Sequence, residues 1–102
     1  MDTSNKELFL GRLGKEPELR YTPKQTPVCH LSVATTDEEN QKTVWHKVVV
    51  WGKQAELCSQ YLTKGKQVFV QGRKLLKEFP TPEGELKKYE EINATLIGFS
   101  NI

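Results

Sequence analysis

A chain of 102 residues has room for one domain with a modest hydrophobic core. Hydrophobic residues make up 36% and charged residues 27%, a balance that excludes a disordered chain, and no apolar run approaches the roughly 20 residues of a membrane span. The net charge of +2 argues only weakly for a nucleic-acid partner, so the distribution of the cations matters more than their total. The polar N-terminus has no signal pattern, and we expect a cytoplasmic protein.

The chain contains two cysteines, Cys29 and Cys58. A secreted scaffold stapled by disulfides uses more cysteines, and a structural zinc site needs close Cys or His pairs at two places in the chain. Cys29 has His30 beside it, but the other histidine, His46, stands 16 positions further on. We therefore expect two buried, reduced thiols, with neither a metal site nor a bound cofactor.

The first part of the chain predicts two strands separated by a loop. Residues Glu7 to Leu13 alternate loosely and include Gly11, which suits a strand that bends in a small barrel. Residues 16–23 are bounded by prolines and are interpreted as a loop or a short extended piece. Val28 to Thr36 is rich in strand-forming residues, and the polar stretch after it, Asp37 to Lys42, is typical of a hairpin turn.

The second part predicts a strand, a helix and two more strands. Thr43 to Trp51 has the strongest strand composition in the chain, with four valines, two tryptophans and a threonine. Lys53 to Lys64 is the best helix candidate because its apolar side chains form a single stripe, and Gly65 follows where helices usually end. Gln67 to Phe79 and Lys87 to Phe99 predict the last two strands, joined by a turn that contains proline and glycine.

This order of elements is that of an all-β, five-stranded Greek-key barrel with one helix between strands 3 and 4. An open sheet covered by one helix has the same elements, so the order alone leaves both architectures open. No linker, repeat or low-complexity segment interrupts the chain, and residues 1–102 are interpreted as a single domain.

Side chains of the third strand divide between two faces because alternate residues of a strand point in opposite directions. The set that we assign to the core is Val44, His46, Val48 and Val50. The opposite set is Trp45, Lys47, Val49 and Trp51. Two indoles flanking a lysine favour a binding surface, although both tryptophans could instead pack in the core while Lys47 reaches past them to water.

The fourth strand repeats this pattern. In one uninterrupted register Val68 and Val70 face the core, while Arg73, Lys77 and Phe79 share the other face; a bulge at Gly72 would reverse that assignment. Aromatic rings provide stacking platforms worth roughly 1–3 kcal/mol per base, and cations follow the phosphates. The combination indicates binding of single strands, since a duplex hides the faces of its bases.

No group of residues in the sequence predicts catalysis. Cys29 and His30 are adjacent in a predicted strand and so face opposite sides, which argues against a nucleophile–base pair. The glycines of Gly11-x-x-Gly14 lack both the third glycine and the strand-to-helix context of a phosphate-binding loop. We expect a binding protein and not an enzyme.

Three segments of the chain, residues 11–21, 45–56 and 61–73, resemble bacterial and mitochondrial-type single-stranded DNA-binding proteins. They read GRLGKEPELRY, WHKVVVWGKQAE and YLTKGKQVFVQGR. The similarity runs in register over about residues 5 to 99. It implies the oligonucleotide-binding (OB) fold and sequence-tolerant coating of single-stranded DNA in replication, recombination or repair, in the cytoplasm and associated with the nucleoid.

Carried over residue by residue, the resemblance implies three groups of sites. Bases would stack on Trp45, on Trp51 (usually phenylalanine in the family) and on Phe79 (often tryptophan). Phosphates would be contacted by Lys47, Lys53, Lys64, Arg73 and Lys77. The family forms homotetramers in which first strands pair across a dimer, which implies subunit contacts by Asn5, Lys6, Leu8, Leu10 and His46.

The sequence departs from the family in three places. The acidic run Asp37-Glu38-Glu39 stands in a short loop where the family commonly has a stacking tryptophan, so we expect weaker binding or a smaller footprint. Glu78 replaces a usually basic residue beside Phe79. The sequence stops at Ile102, just after the last predicted strand, so recruitment of partners through an acidic tail is not expected. A naturally short protein and a shortened one would look the same here.

Two alternative functions remain open at this point. One is a dimeric, helicase-loading factor similar to primosomal replication protein N, which also binds single strands. The other is a protein-interaction barrel in which the surface around Trp45 and Trp51 docks a protein partner instead of bases.

Overall fold

The computed structural model describes residues 5–99, which form six strands and one helix. In chain order these are β1 (Lys6–Leu13), β2 (Glu18–Tyr21), β3 (Pro27–Asp37), β4 (Lys42–Trp51), α1 (Lys53–Tyr61), β5 (Gln67–Pro80) and β6 (Leu86–Phe99). Within this part of the chain, no helix has the length and apolar character that a membrane crossing requires.

Five of the strands close into a barrel. The order β1-β5-β6-β4-β3 is completed by a second pairing of β1 with β3, at Arg12 and Leu13. Neighbouring strands are antiparallel except for β4 and β6, which run parallel where Val48 lies beside Ile92. This is the OB-fold barrel, with α1 between the third and fourth barrel strands, so the predicted architecture is confirmed and the open sheet is wrong.

The additional strand, β2, lies in the segment that sequence reasoning left as a loop or short extended piece. Its four residues pair with β3, from Glu18 opposite His30 to Tyr21 opposite Pro27. Pro17 and Pro23 flank the strand and lie outside it, so neither interrupts the hydrogen bonding of the four residues between them. In chain order the helix therefore follows the fourth strand of six.

The barrel interior is filled mainly by valines and two thiols. Val48 and Val50 are fully buried, as their alternation predicted, together with Cys29 and Cys58. Burial raises the pKa of Cys29 to about 11 and that of Cys58 to about 12, so both thiols stay protonated at neutral pH. Val44 was assigned to the core but is 40% exposed, because it lies beyond the point where β4 pairs with β6 and the barrel closes.

The hairpin of β5 and β6 extends past the barrel as a two-stranded arm. From Lys74 to Pro80, β5 pairs among the described residues only with β6, because its pairing with β1 ends at Arg73. The register of the hairpin shifts at Gly72 through one extra residue on β6, Thr95, whose hydroxyl donates to the Gln71 carbonyl at 3.1 Å. Because the bulge is on β6, the alternation of β5 continues unbroken into the arm.

Candidate nucleic-acid interface

The outer face of β4 carries two exposed indole rings. Trp45 is 61% exposed and Trp51 is 48% exposed, while the valines one residue out of phase fill the core. Lys47 is exposed between them, and the step of six residues along the strand puts the Cα atoms of the two tryptophans about 20 Å apart. The tryptophans therefore do not pack in the core, and the alternative in which they do is wrong.

A groove lies between the two rings on the β3 side of β4. Ala34 pairs with Trp45 and Val28 with Trp51, and between these pairs Ser32 lies opposite Lys47. The groove has a volume of about 240 Å³. Its lining residues are Lys15, Glu18, Arg20, His30, Leu31, Ser32 and Lys47. Three of these side chains are cationic and one is a carboxylate, so the groove favours an anionic ligand such as a phosphate.

The same outer face continues from β4 across β6 to the arm of β5. Tyr89 on β6 pairs with Lys77, and the Lys47 ammonium lies 4.7 Å from the centroid of the Tyr89 ring, a cation–π contact. Phe79 meets Tyr89 edge-on at 5.7 Å between centroids. Tyr89 therefore joins the barrel part of the face to the arm.

We call this surface the aromatic–cation face. Its members are the outward residues of β4, of β5 from Arg73 onward and of β6 that carry a ring or a positive charge: Trp45, Lys47, Trp51, Arg73, Lys77, Phe79, Lys87 and Tyr89. The unbroken alternation of β5 places Arg73, Lys77 and Phe79 on it, as the uninterrupted register predicted, and Phe79 is 43% exposed. The structure thus brings together six of the eight residues predicted to bind DNA.

The other two predicted DNA-binding residues lie outside the sheet face. Lys53 is the first residue of α1 and borders a second groove with Tyr21 and Glu56. Lys64 follows the helix, and its backbone N–H donates to the Glu16 carboxylate at 3.3 Å. Both lysines are exposed. They lie at the helix end of the barrel and could contact only a strand that runs past the aromatic–cation face.

Tyr89 and Lys87 were missed by sequence reasoning. Both belong to the face because Phe79 pairs with Lys87 and Lys77 with Tyr89. The signal was present in the turn, where Thr81 and Glu85 close the hairpin with a backbone hydrogen bond of 2.8 Å. Counting back from that turn by equal steps on both strands gives these pairs.

The cations of the face are available to a ligand. Within residues 5–99, Lys47, Arg73 and Lys77 form no ion pair with a carboxylate. One acidic residue, Glu91, lies on the face opposite Leu75. The Lys47 ammonium rests on an aromatic ring, a contact that orients the charge without neutralising it.

The loop between β3 and β4 is short and acidic, as the sequence predicted. The Asp37 carboxylate accepts hydrogen bonds from the Glu39 N–H at 3.1 Å and from the Asn40 side chain at 2.9 Å. Gln41 has a φ of 55° in the tight reversal. The loop carries no aromatic ring, so it provides no stacking platform.

The residues predicted to form subunit contacts lie on and around β1. Leu8 is 64% exposed and Leu10 is 56% exposed, and Leu96, 48% exposed, lies on the same outer surface because Leu8 and Leu96 both pair with Gln71. Lys6 is exposed at the start of β1. Asn5 precedes the strand, and its carbonyl accepts from the Lys74 N–H at 2.7 Å.

His46 points to the opposite side of β4 from the aromatic–cation face. Its Nε2 is 2.8 Å from the Thr35 hydroxyl, and its ring stacks on Phe9 with 4.3 Å between centroids. Burial lowers the pKa of His46; the nearby Glu7 carboxylate opposes this shift and the Lys74 ammonium adds to it. In residues 5–99 no group of three or more His, Cys, Asp or Glu side chains could hold a metal ion.

The sequence matches the family described as the single-strand binding protein family over residues 4–100. The chain belongs to this family. Binding of single-stranded DNA is the activity that membership implies, and the proteins of the family are binding proteins and not enzymes. Exposed rings beside free cations on a single-strand binding protein are the groups that unpaired bases and a phosphate backbone require.

Proposed function

We propose that the protein coats single-stranded DNA with little sequence preference, by stacking bases on Trp45, Trp51 and Phe79. The observation that carries this proposal is the exposure of all three rings on one continuous surface, the aromatic–cation face. Every base has a flat aromatic face, so stacking of this kind tolerates any sequence. A protein that leaves two tryptophans about half exposed on one face gains from covering them with a ligand.

The phosphate contacts follow from the cations of the same face. Lys47, Arg73 and Lys77 accompany the rings, and a strand that continues past Trp51 would reach Lys53 at the start of α1. Lys64 extends the possible path beyond the other end of the helix. Each neutralised phosphate releases counterions, so affinity falls as salt rises.

The acidic loop between β3 and β4 limits the footprint. Asp37, Glu38 and Glu39 repel phosphates within a Debye length of about 10 Å at 0.1 M salt. The loop also offers no ring for stacking. The β5–β6 arm begins beside the same end of β4 as this loop, because β4 and β6 run parallel. The bound strand is therefore expected to cross from β4 to the arm before it reaches the tip of the β3–β4 hairpin.

The protein functions in this proposal as a homo-oligomer, a tetramer assembled through β1. Among the described residues, β1 pairs with β3 only at Arg12 and Leu13, which leaves one edge of Lys6 to Gly11 without a partner strand. Unpaired edges are ready to add a strand from another chain, and Leu8 and Leu10 would be covered in the process. A particle of four 11.7-kDa chains in sedimentation would support this assembly; a dimer would favour the primosomal type of relative.

Titration with oligo-dT of about 35 nucleotides, read by tryptophan fluorescence, tests the function. We expect strong quenching at low salt, similar affinity for a mixed sequence of equal length, and much weaker binding of the matching duplex. If Lys47, Arg73 and Lys77 each hold one phosphate, the slope of log K against log salt is about −2 or steeper. Absence of quenching at low salt, or equal binding of duplex, would contradict the proposal. The roles in replication, recombination and repair follow from coating and belong to the same proposal.

A further inference from the structure

The two tryptophans of the aromatic–cation face differ in how much of the side chain is exposed. Trp45 is the more exposed of the two, at 61%, and a ring with so few neighbours would ordinarily sample several rotamers. Fixing such a side chain on binding costs entropy, so a ring already held in its stacking pose binds more tightly. A contact that holds Trp45 would therefore matter for affinity more than its small buried area suggests.

The structure provides that contact at Gly14. A Cβ atom at Gly14 would lie 2.2 Å from Cζ3 and 2.5 Å from Cη2 of Trp45, far inside van der Waals contact. The six-membered ring of the indole thus lies directly against the backbone of Gly14. Residues 14 and 45 belong to different parts of the chain and meet only in the folded barrel.

The backbone conformation at Gly14 does not itself require glycine. The glycines with positive φ in the described chain are Gly52, Gly65 and Gly84. An alanine at position 14 would be tolerated by its backbone but would overlap the Trp45 ring. Position 14 therefore lacks a side chain because the Trp45 ring occupies that space, and not because the backbone conformation requires glycine.

The backbone at Gly14 is held by hydrogen bonds of the barrel, whereas the exposed Trp45 side chain could be displaced by a new group. The Gly14 N–H donates to the Ser32 carbonyl at 2.9 Å, and the preceding residue, Leu13, is 2% exposed. Leu13 also donates to the Lys66 carbonyl at 2.9 Å and accepts from the Gly65 N–H at 2.8 Å. A methyl group added at Gly14 would displace the exposed indole and leave this hydrogen-bonded backbone in place.

We propose that Gly14 is a positioning residue for DNA binding: it lets the outer edge of the Trp45 ring approach the backbone closely and holds the ring in its stacking pose. This inference rests on the proposed function, in which Trp45 stacks on a base. Gly14 itself touches no base, and it acts only through the indole.

The test compares Gly14→Ala with Trp45→Ala in a Trp51→Phe background, where Trp45 is the only tryptophan and the second platform stays aromatic. Gly14→Ala should change the emission and the acrylamide quenching of Trp45, and weaken binding of labelled oligo-dT by about 5-fold or more, the lower end for one stacking platform. In a Trp45→Ala background the same substitution should leave affinity unchanged. The control is Gly98→Ala, whose Cβ would meet Phe69 at an ordinary 3.6 Å.

The outcomes separate this inference from the proposed function. If Trp45→Ala weakens binding but Gly14→Ala does not, the positioning role is wrong and stacking stands. If Trp45→Ala itself leaves affinity unchanged, stacking on Trp45 is wrong. Should Gly14→Ala unfold the protein, the double variant Gly14→Ala with Trp45→Phe decides, since phenylalanine lacks the outer ring that overlaps the methyl. It should fold and bind as tightly as Trp45→Phe alone, and failure to fold would overturn the inference.

Discussion

The two faces of β4 carry apolar side chains in opposite circumstances. Val48 and Val50 are fully buried, whereas Trp45 and Trp51, one residue out of phase, are 61% and 48% exposed. Burial stabilises the fold by about 25 cal/mol for each Å² of apolar surface removed from water. The valines have this stabilisation in the free protein, while much of the indole surface remains in water until a ligand covers it. In the proposed function, one strand thus separates stability from binding on alternate residues.

Loss of both tryptophan rings should weaken DNA binding, and this is the largest effect that we expect. Trp45→Ala combined with Trp51→Ala removes two platforms worth roughly 1–3 kcal/mol each, so DNA affinity should fall by about 2–6 kcal/mol. The melting temperature should change less than on loss of a core side chain, because about half of each tryptophan is already exposed to water. Anisotropy of a labelled oligo-dT measures the affinity without relying on tryptophan.

The matched control for the two tryptophans removes another exposed ring. Tyr61 is 48% exposed, as Trp51 is, and does not belong to the aromatic–cation face. Tyr61→Ala should retain the affinity of the wild type. A double tryptophan variant that bound as tightly as this control would show that a different surface holds the DNA and that the exposed indoles serve another partner.

A substitution on the inner face should have the reverse result. Val50→Ala removes two carbons from a fully buried side chain and leaves a cavity, which should lower the free energy of unfolding by about 2 kcal/mol. DNA affinity of the folded protein should stay unchanged. Denaturant unfolding and oligo-dT binding, measured on the same sample well below its midpoint, check both parts. Weaker DNA binding by a fully folded Val50→Ala would contradict the separation of the two faces.

The division of β4 into two faces could be predicted from the sequence because alternation is a local property of a strand. The burial of individual residues could not. Val49 shares the outer face with the tryptophans but is 4% exposed, since His30 on β3 and Asn93 on β6 flank it from both sides. Those neighbours come from strands 19 and 44 positions away, and only the closed barrel brings them together.

Two contacts of the site that sequence reasoning missed depend on register between distant segments. Tyr89 reaches Lys47 because β6 pairs in parallel with β4, with Val48 beside Ile92. Gly14 meets Trp45 across 31 positions of sequence, and nothing in the GRLGKEP segment identifies the ring that will lie on it. Local patterns therefore gave the elements and the faces, whereas contacts between faces required the folded chain.

Substitution of His46 should have the smallest effect on stability, and it tests the inner face of β4. Burial lowers its pKa below the ordinary 6.5, with Glu7 and Lys74 nearby acting in opposite directions. Below about pH 6.5 the unfolded chain therefore binds a proton at this histidine that the folded chain does not bind. The free energy of unfolding should fall as pH drops through 6.5, and stop falling from this cause once the folded histidine is protonated.

Melting temperatures measured between roughly pH 7.5 and 5.5 test this expectation. On acidification the melting temperature should fall less in His46→Gln than in the wild type. If the melting temperature of His46→Gln fell as much on acidification as that of the wild type, other groups would cause the pH dependence and His46 would contribute none.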